Sequence, residues 1–131
     1  MPDDPRAWSR AERGWAYALL VLLTVLLALW GSFLVPFRIG ATLVPVCWAV
    51  AVGGNLAVGR AGSRLAGTTG ALLPGLLWLL VAFTLSARRD EGDVVIPGTT
   101  VGLVFLLAGA VASAVAYAAA VLAPGSRTVR R

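Results

Sequence analysis

What most constrains this chain is where its charges are missing. The stretches 15–34, 41–58, 67–86 and 101–122 contain no Asp, Glu, Arg, Lys or His. Each has close to the roughly 20 residues that an α-helix needs to cross a hydrocarbon core about 30 Å thick. The last two are separated by Ala87-Arg88-Arg89-Asp90-Glu91-Gly92-Asp93, where five charges fall within six residues. Each Arg or Asp at the centre of an inserted helix costs roughly 2.5–3.5 kcal/mol, so the group costs on the order of 10 kcal/mol or more in hydrocarbon. It must lie in water or among headgroups, which makes the runs on either side separate spans.

Composition agrees. Charged residues make up 13% of the chain and hydrophobic ones 59%, against roughly 25% charged in an ordinary soluble domain. Mean hydropathy is +0.86. Four spans leave little of the 131 residues for a soluble module, so a single integral membrane domain over 1–131 is expected. Its fold class is all-α, a four-helix transmembrane bundle with antiparallel up-down topology.

The polar N-terminal segment holds Pro2 and Pro5, which discourage an early helix, and Trp8, which suits the headgroup level. A short interfacial helix is expected from about Ala7. The first span, 15–34, contains eight Leu, two Val and one Phe, worth about 3–6 kcal/mol towards insertion. A cleaved signal peptide is the competing reading. Its apolar region would be about 7–15 residues leading to a small-x-small site, whereas this run is longer and exits through Trp30, Phe33 and Phe37. Val35 to Gly40 carries turn formers, so spans one and two are expected to be antiparallel neighbours. Pro45 is expected in the first turn of span two, where its missing N–H does no harm. Gly59-Arg60-Ala61-Gly62-Ser63-Arg64 is expected to form the second loop. Pro74 lies about two turns into span three, and Pro124-Gly125 ends span four.

Orientation follows from basic residues near the span ends. Eight arginines (Arg6, Arg10, Arg13, Arg60, Arg64, Arg127, Arg130 and Arg131) fall on one side and three (Arg38, Arg88 and Arg89) on the other. The positive-inside rule then places both termini in the cytoplasm and the acidic loop outside. The net charge of +5 does not point to nucleic acid, because the arginines sit at span ends and no aromatic-basic platform accompanies them.

Helices in lipid gain little from the hydrophobic effect, so small residues that let backbones approach are expected to hold the bundle. Ala49, Gly53 and Ala57 recur every fourth residue in span two, as do Gly67, Ala71 and Gly75 in span three. Span four offers Ala108, Ala112, Ala116 and Ala120, with Gly109 and Ser113 beside them. Such rows either build the bundle or dock a partner, and the bundle is the expectation. Span one, rich in Leu, is expected to be the most lipid-exposed.

The runs lack the ionisable midplane group that proton-coupled pumps and small four-span drug exporters use, which argues against both. No internal repeat is evident, which lowers the case for an inverted-repeat transporter. One cysteine and no histidine exclude an internal disulfide and remove the usual ligands for zinc, haem or an iron–sulfur cluster. No cofactor, metal or catalytic residue is expected. Cys47 reads as a small buried residue. Thr24, Asn55, Thr84 and Ser113 are the other polar candidates inside spans, and Asn55 reads as structural glue with ligand coordination as the alternative. Trp8, Trp15, Trp30 and Trp48 suit interface anchoring, which explains Trp78, nearer mid-span, less well. The densest chemistry lies in the outer loop, where Arg88, Arg89, Asp90, Glu91 and Asp93 form the candidate interaction site. The carboxylates suit a divalent cation and the arginines a lipid phosphate. The plainer reading is a solvated turn in which the two signs offset one another.

The run Arg89-Asp90-Glu91-Gly92-Asp93, followed by an apolar patch and a Gly/Ala-rich final span, resembles a family of short four-span membrane proteins from high-GC actinobacteria that is catalogued only as a domain of unknown function. The resemblance implies an integral plasma-membrane protein and supplies no activity. The expected function is that of a non-enzymatic accessory or scaffold subunit in the bacterial plasma membrane. Its partners would be the lipid bilayer and another membrane protein or a second copy, with no nucleic acid. The alternatives are an oligomeric small-molecule transporter or channel, and a lipid-binding protein using the outer loop.

Overall fold

The computed structural model describes residues 9–87 and 96–123. Helix α1 (Arg10–Phe33) opens on a capping box. The Glu12 N–H donates to Ser9 Oγ at 3.2 Å, and the Ser9 N–H donates to Glu12 Oε2 at 2.7 Å. Two donors at the helix start are thereby paired. The interfacial helix and the first span expected as separate pieces are one continuous rod, which starts where Ser9-x-x-Glu12 starts it. It stops at Phe33, where the Leu34 N–H turns back to the Trp30 and Gly31 carbonyls. Pro36 has no N–H with which to continue.

A small antiparallel hairpin follows. Strand β1 (Arg38–Ile39) pairs with β2 (Thr42–Leu43), Arg38 opposite Leu43 and Ile39 opposite Thr42. Gly40 makes the turn at φ +61°. Hydrogen bonding continues one step beyond, from the Val44 N–H to the Phe37 carbonyl at 3.1 Å. The reversal after the first helix therefore uses residues assigned above to the second span. Helix α2 begins at Val46, with Pro45 capping it from outside.

Helix α2 (Val46–Ser86) has 41 residues. Straight, it would run about 62 Å, twice the hydrocarbon thickness. Instead it folds back at Ala66 (φ −144°, ψ 26°) and Gly67 (φ 61°, ψ −138°). Gly62 lies against the Gly70 backbone, and Gly59 approaches the Ala71 carbonyl. In an unbroken helix those pairs would stand about 12 and 18 Å apart. The two arms, 46–65 and 68–86, are each about 28–30 Å long.

Four separate helices are thus corrected to three, because the second and third expected spans share α2 and the expected loop at Gly59–Arg64 is helical. Reversal needs only two residues here, since Gly67 adopts a backbone conformation open essentially to glycine alone. Arg60 and Arg64 are exposed on the helix itself, so no loop is required to bring them to solvent. Pro74 lies buried in the second arm without a departure from helical φ/ψ.

Helix α3 (Thr100–Leu122) starts at Thr99, whose Oγ1 accepts from the Gly102 N–H at 3.4 Å. Contacts fix the relative directions. Leu27 meets Gly54 and Leu20 meets Gly62, so α1 is antiparallel to the first arm. Trp48 bonds to Val101 and Gly59 meets Ala116, so α3 is parallel to that arm. Gly75 meets Ser113 and Trp78 meets Gly109, so α3 is antiparallel to the second arm. The core where they converge contains Ala28, Val35, Cys47, Ala51, Trp78, Ala82, Ile96 and Phe105.

Candidate functional site

The candidate interaction loop, Arg88, Arg89, Asp90, Glu91 and Asp93, lies outside the described residues. The structure does describe the platform that carries it. On its near side Ile96 donates its N–H to the Leu85 carbonyl at 3.4 Å, and the Ile96 side chain is buried in the core cluster that also holds Val35. The Trp48 Nε1–H donates to the Val101 carbonyl at 3.2 Å, tying the starts of α2 and α3 together. This end of the bundle is therefore braced by backbone and indole bonds, and Arg38 in the hairpin is exposed there.

Deeper in, the buried polar side chains among the described residues are Thr24, Ser32, Asn55 and Ser113. Thr24 and Ser32 each donate to the carbonyl four residues back, Leu20 and Ala28, at 2.7 Å. Such back-bonding satisfies a hydroxyl without a partner helix. Asn55 differs: its Nδ2 donates to the Ala51 carbonyl at 2.8 Å, while its Oδ1 accepts from Ser113 Oγ at 3.2 Å. Ser113 Oγ is also 2.8 Å from the Gly109 carbonyl, so its one O–H is shared between the two acceptors. Asn55 thus acts as a clasp between the first arm and α3, and both of its polar atoms are occupied.

Trp78 is wholly buried, its ring tilted 54° to Phe105 at a centroid distance of 5.3 Å and seated over Gly109. It is a core residue and not an interface anchor. Its Nε1–H has no hydrogen-bond partner among the described residues. Cys47 is buried in the same cluster. Among the described residues no Asp, Glu, Arg, Lys or His is buried, and no three metal-ligating side chains gather.

The small-residue rows are placed differently from their spacing. Ala49, Gly53 and Ala57 are exposed, and a Cβ on Gly53 would meet nothing within 4 Å. The buried row of the first arm is Cys47, Ala51, Asn55 and Gly59, with Gly62 beyond. Gly67 is the exposed hinge, while Ala71 and Gly75 are buried. On α3 Ala112 and Ala116 are buried and Ala108 is half-buried. The signal that marks the inward face of the first arm is Asn55, since an amide facing lipid would have no partner.

Charge separates by end. Because Leu20 contacts Gly62, the start of α1 lies beside the α2 hinge, so Arg10, Arg13, Arg60 and Arg64 occupy one end of the bundle. Glu12 is the one acidic residue among the described ones. It is exposed in the first turn of α1, ahead of the uncharged run 15–34, and its hydrogen bonds with the Ser9 backbone and hydroxyl hold its carboxyl below the usual glutamate range.

Comparison with known families matches residues 2–131 to the family of unknown function DUF6113. The match supplies a family and neither a source organism nor a span count. No curated protein and no solved structure matches the chain.

Proposed function

The chain belongs to the DUF6113 family, and from that premise we propose that it is a small non-enzymatic integral membrane protein, an accessory or scaffold subunit of a bacterial, actinobacterial plasma membrane. The arms of α2 cross separately, which makes four crossings, and both termini are cytoplasmic. The observation that carries this reading is the inversion of polarity across the helices. Leu23, Leu76 and Val111 are 55%, 56% and 54% exposed in mid-helix, whereas the amide and hydroxyls of Asn55, Ser113 and Thr24 are buried. Water would not tolerate so continuous an apolar exterior. By length and composition, α1, α2 and α3 can each cross a membrane.

Each α2 arm, at about 28–30 Å, matches the hydrocarbon thickness, which favours separate crossings. Four arginines at the hinge end against Arg38 at the other, among the described residues, favour a cytoplasmic hinge. A scaffold role suits an interior in which the side chains of Thr24, Ser32, Asn55 and Ser113 are all hydrogen-bonded and in which, among the described residues, no carboxylate is buried.

Topology is tested by single cysteines at Asp90 and Arg64 in a Cys47→Ser background, treated with an impermeant thiol reagent. In intact cells only the cysteine at position 90 is modified, and the reverse pattern would overturn the orientation. Pull-down from mild detergent tests the scaffold role. Co-purification of a distinct membrane protein supports it, and a chain that purifies only with itself counts against it.

A further inference from the structure

Between the first arm of α2 and α3 runs a groove of about 350 Å³, walled by Val52, Leu56, Leu107, Val111 and Val115, with no polar atom in its lining. Val52 and Leu56 are one turn apart, and the same row continues to Arg60. Because Gly59 meets Ala116, Arg60 lies just beyond the Val115 end of the groove, outside its apolar lining. Arg64 follows one turn later. Both arginines are exposed, and neither forms an ion pair among the described residues. The one carboxylate described at this end, Glu12, is engaged by Ser9.

We propose that this groove is a binding site for an anionic phospholipid. One acyl chain lies along Leu107, Val111 and Val115, and the headgroup phosphate is held by Arg60 with Arg64 behind it. The charge and the shape each select the occupant. Guanidinium groups at the end of an apolar channel match a phosphate oxygen pair bidentately. An exposed arginine near a bilayer surface attracts anionic lipid by about 1 kcal/mol. The rows of the other grooves meet no arginine one turn on: the row Leu72, Leu76 runs back to Thr68, and the row Leu26, Trp30 runs on to Leu34.

The proposal rests on the reading of the chain as membrane-embedded. That reading fails separately, if alkaline carbonate releases the chain from membranes. The site itself is tested on the full chain in nanodiscs, with phosphatidylglycerol and phosphatidylcholine of identical acyl chains as the two probes and native mass spectrometry of retained lipid as the readout. Wild type retains phosphatidylglycerol preferentially. Arg60→Gln and Arg64→Gln each reduce that preference about fivefold, the factor equivalent to roughly 1 kcal/mol. Leu107→Trp, which fills the groove, lowers retention of both lipids, and Arg10→Gln, at the same end but on α1, reduces the preference less than either groove arginine does. An unchanged preference in the Arg60→Gln/Arg64→Gln double variant would overturn the site. So would an equal loss in Arg10→Gln, or spontaneous Leu107→Cys dimers that exclude lipid, since a second copy would then cover the groove.

Discussion

Gly62→Ala is the most direct perturbation of the α2 fold-back. A Cβ at this position would run into the Gly70 carbonyl and would also touch Leu20 Cδ2 at 3.4 Å. Cβ contacts under 3.0 Å essentially never occur, and the obstacle is backbone, with no rotamer to swing aside. The arms must part by roughly 1 Å, and a gap of about 0.5–1 Å forfeits a quarter to a half of each dispersion contact across it. Overpacking of this kind costs about 1–3 kcal/mol. Alanine's helical preference over glycine returns at most about 1 kcal/mol. With the full return the expected net loss is about 0–2 kcal/mol.

The assay is reversible unfolding of the full chain in mild-detergent micelles titrated with SDS, followed by the fluorescence of Trp78 in the core and by circular dichroism. Gly53→Ala is the matched control. It lies on the same arm, its Cβ meets nothing within 4 Å, and it should be neutral or stabilising by up to about 1 kcal/mol. If Gly62→Ala and Gly53→Ala unfold at the same SDS fraction, the arms do not touch at Gly62 and Gly70, and the hairpin geometry is refuted.

Three further outcomes follow from the same contacts. Gly67→Ala forces a β-carbon into φ 61°, ψ −138°, so it should cost about 1–3 kcal/mol in the same titration. A double-mutant cycle of Asn55→Ala with Ser113→Ala should return a coupling of about 0.6–2 kcal/mol, and a coupling of zero would show that the 3.2 Å clasp contributes nothing. Glu12, whose carboxyl is held low by its bonds with Ser9, supports the start of α1 fully above the ordinary glutamate value. That support is lost as pH falls through the lowered value. A carbonyl NMR titration should show a depressed midpoint for Glu12 that rises part of the way in Ser9→Ala, which leaves the backbone donor in place, and further in Ser9→Pro, which removes that donor as well; a midpoint unmoved in Ser9→Pro would refute the cap.

The long elements were readable because charge is costly in hydrocarbon. The uncharged runs 15–34 and 101–122 differ by a few residues from α1 and α3. Where the reading departs from the structure, a local device outweighs the composition. Ser9-x-x-Glu12 extends α1 into the polar N-terminal segment. The hairpin at 38–43 consumes residues whose apolarity looks like helix, because Gly40 supplies the turn. At 59–64, glycines and arginines look like a loop in composition. They stay helical because the glycines are buried at a backbone contact and the arginines already face solvent.

Packing faces were harder to read, for a physical reason. In a soluble helix the inward stripe is apolar and the outward one polar, so hydropathy alone orients it. Here both sides are apolar, and small residues serve at contacts, at the hinge and on the open face alike, which is why Ala49-x-x-x-Gly53-x-x-x-Ala57 and Cys47-x-x-x-Ala51-x-x-x-Asn55-x-x-x-Gly59 look equivalent as spacing. What separates them is the residue that lipid would penalise. An amide at Asn55 and a hydroxyl at Ser113 have no partner in hydrocarbon, so they must face each other or their own backbone, and that requirement orients the first arm and α3 together. The same logic explains Trp78, whose ring needs a partner without bulk. Gly109 provides the seat and Phe105 the wall. In this chain a few polar and aromatic side chains carry the orientation that hydropathy carries elsewhere.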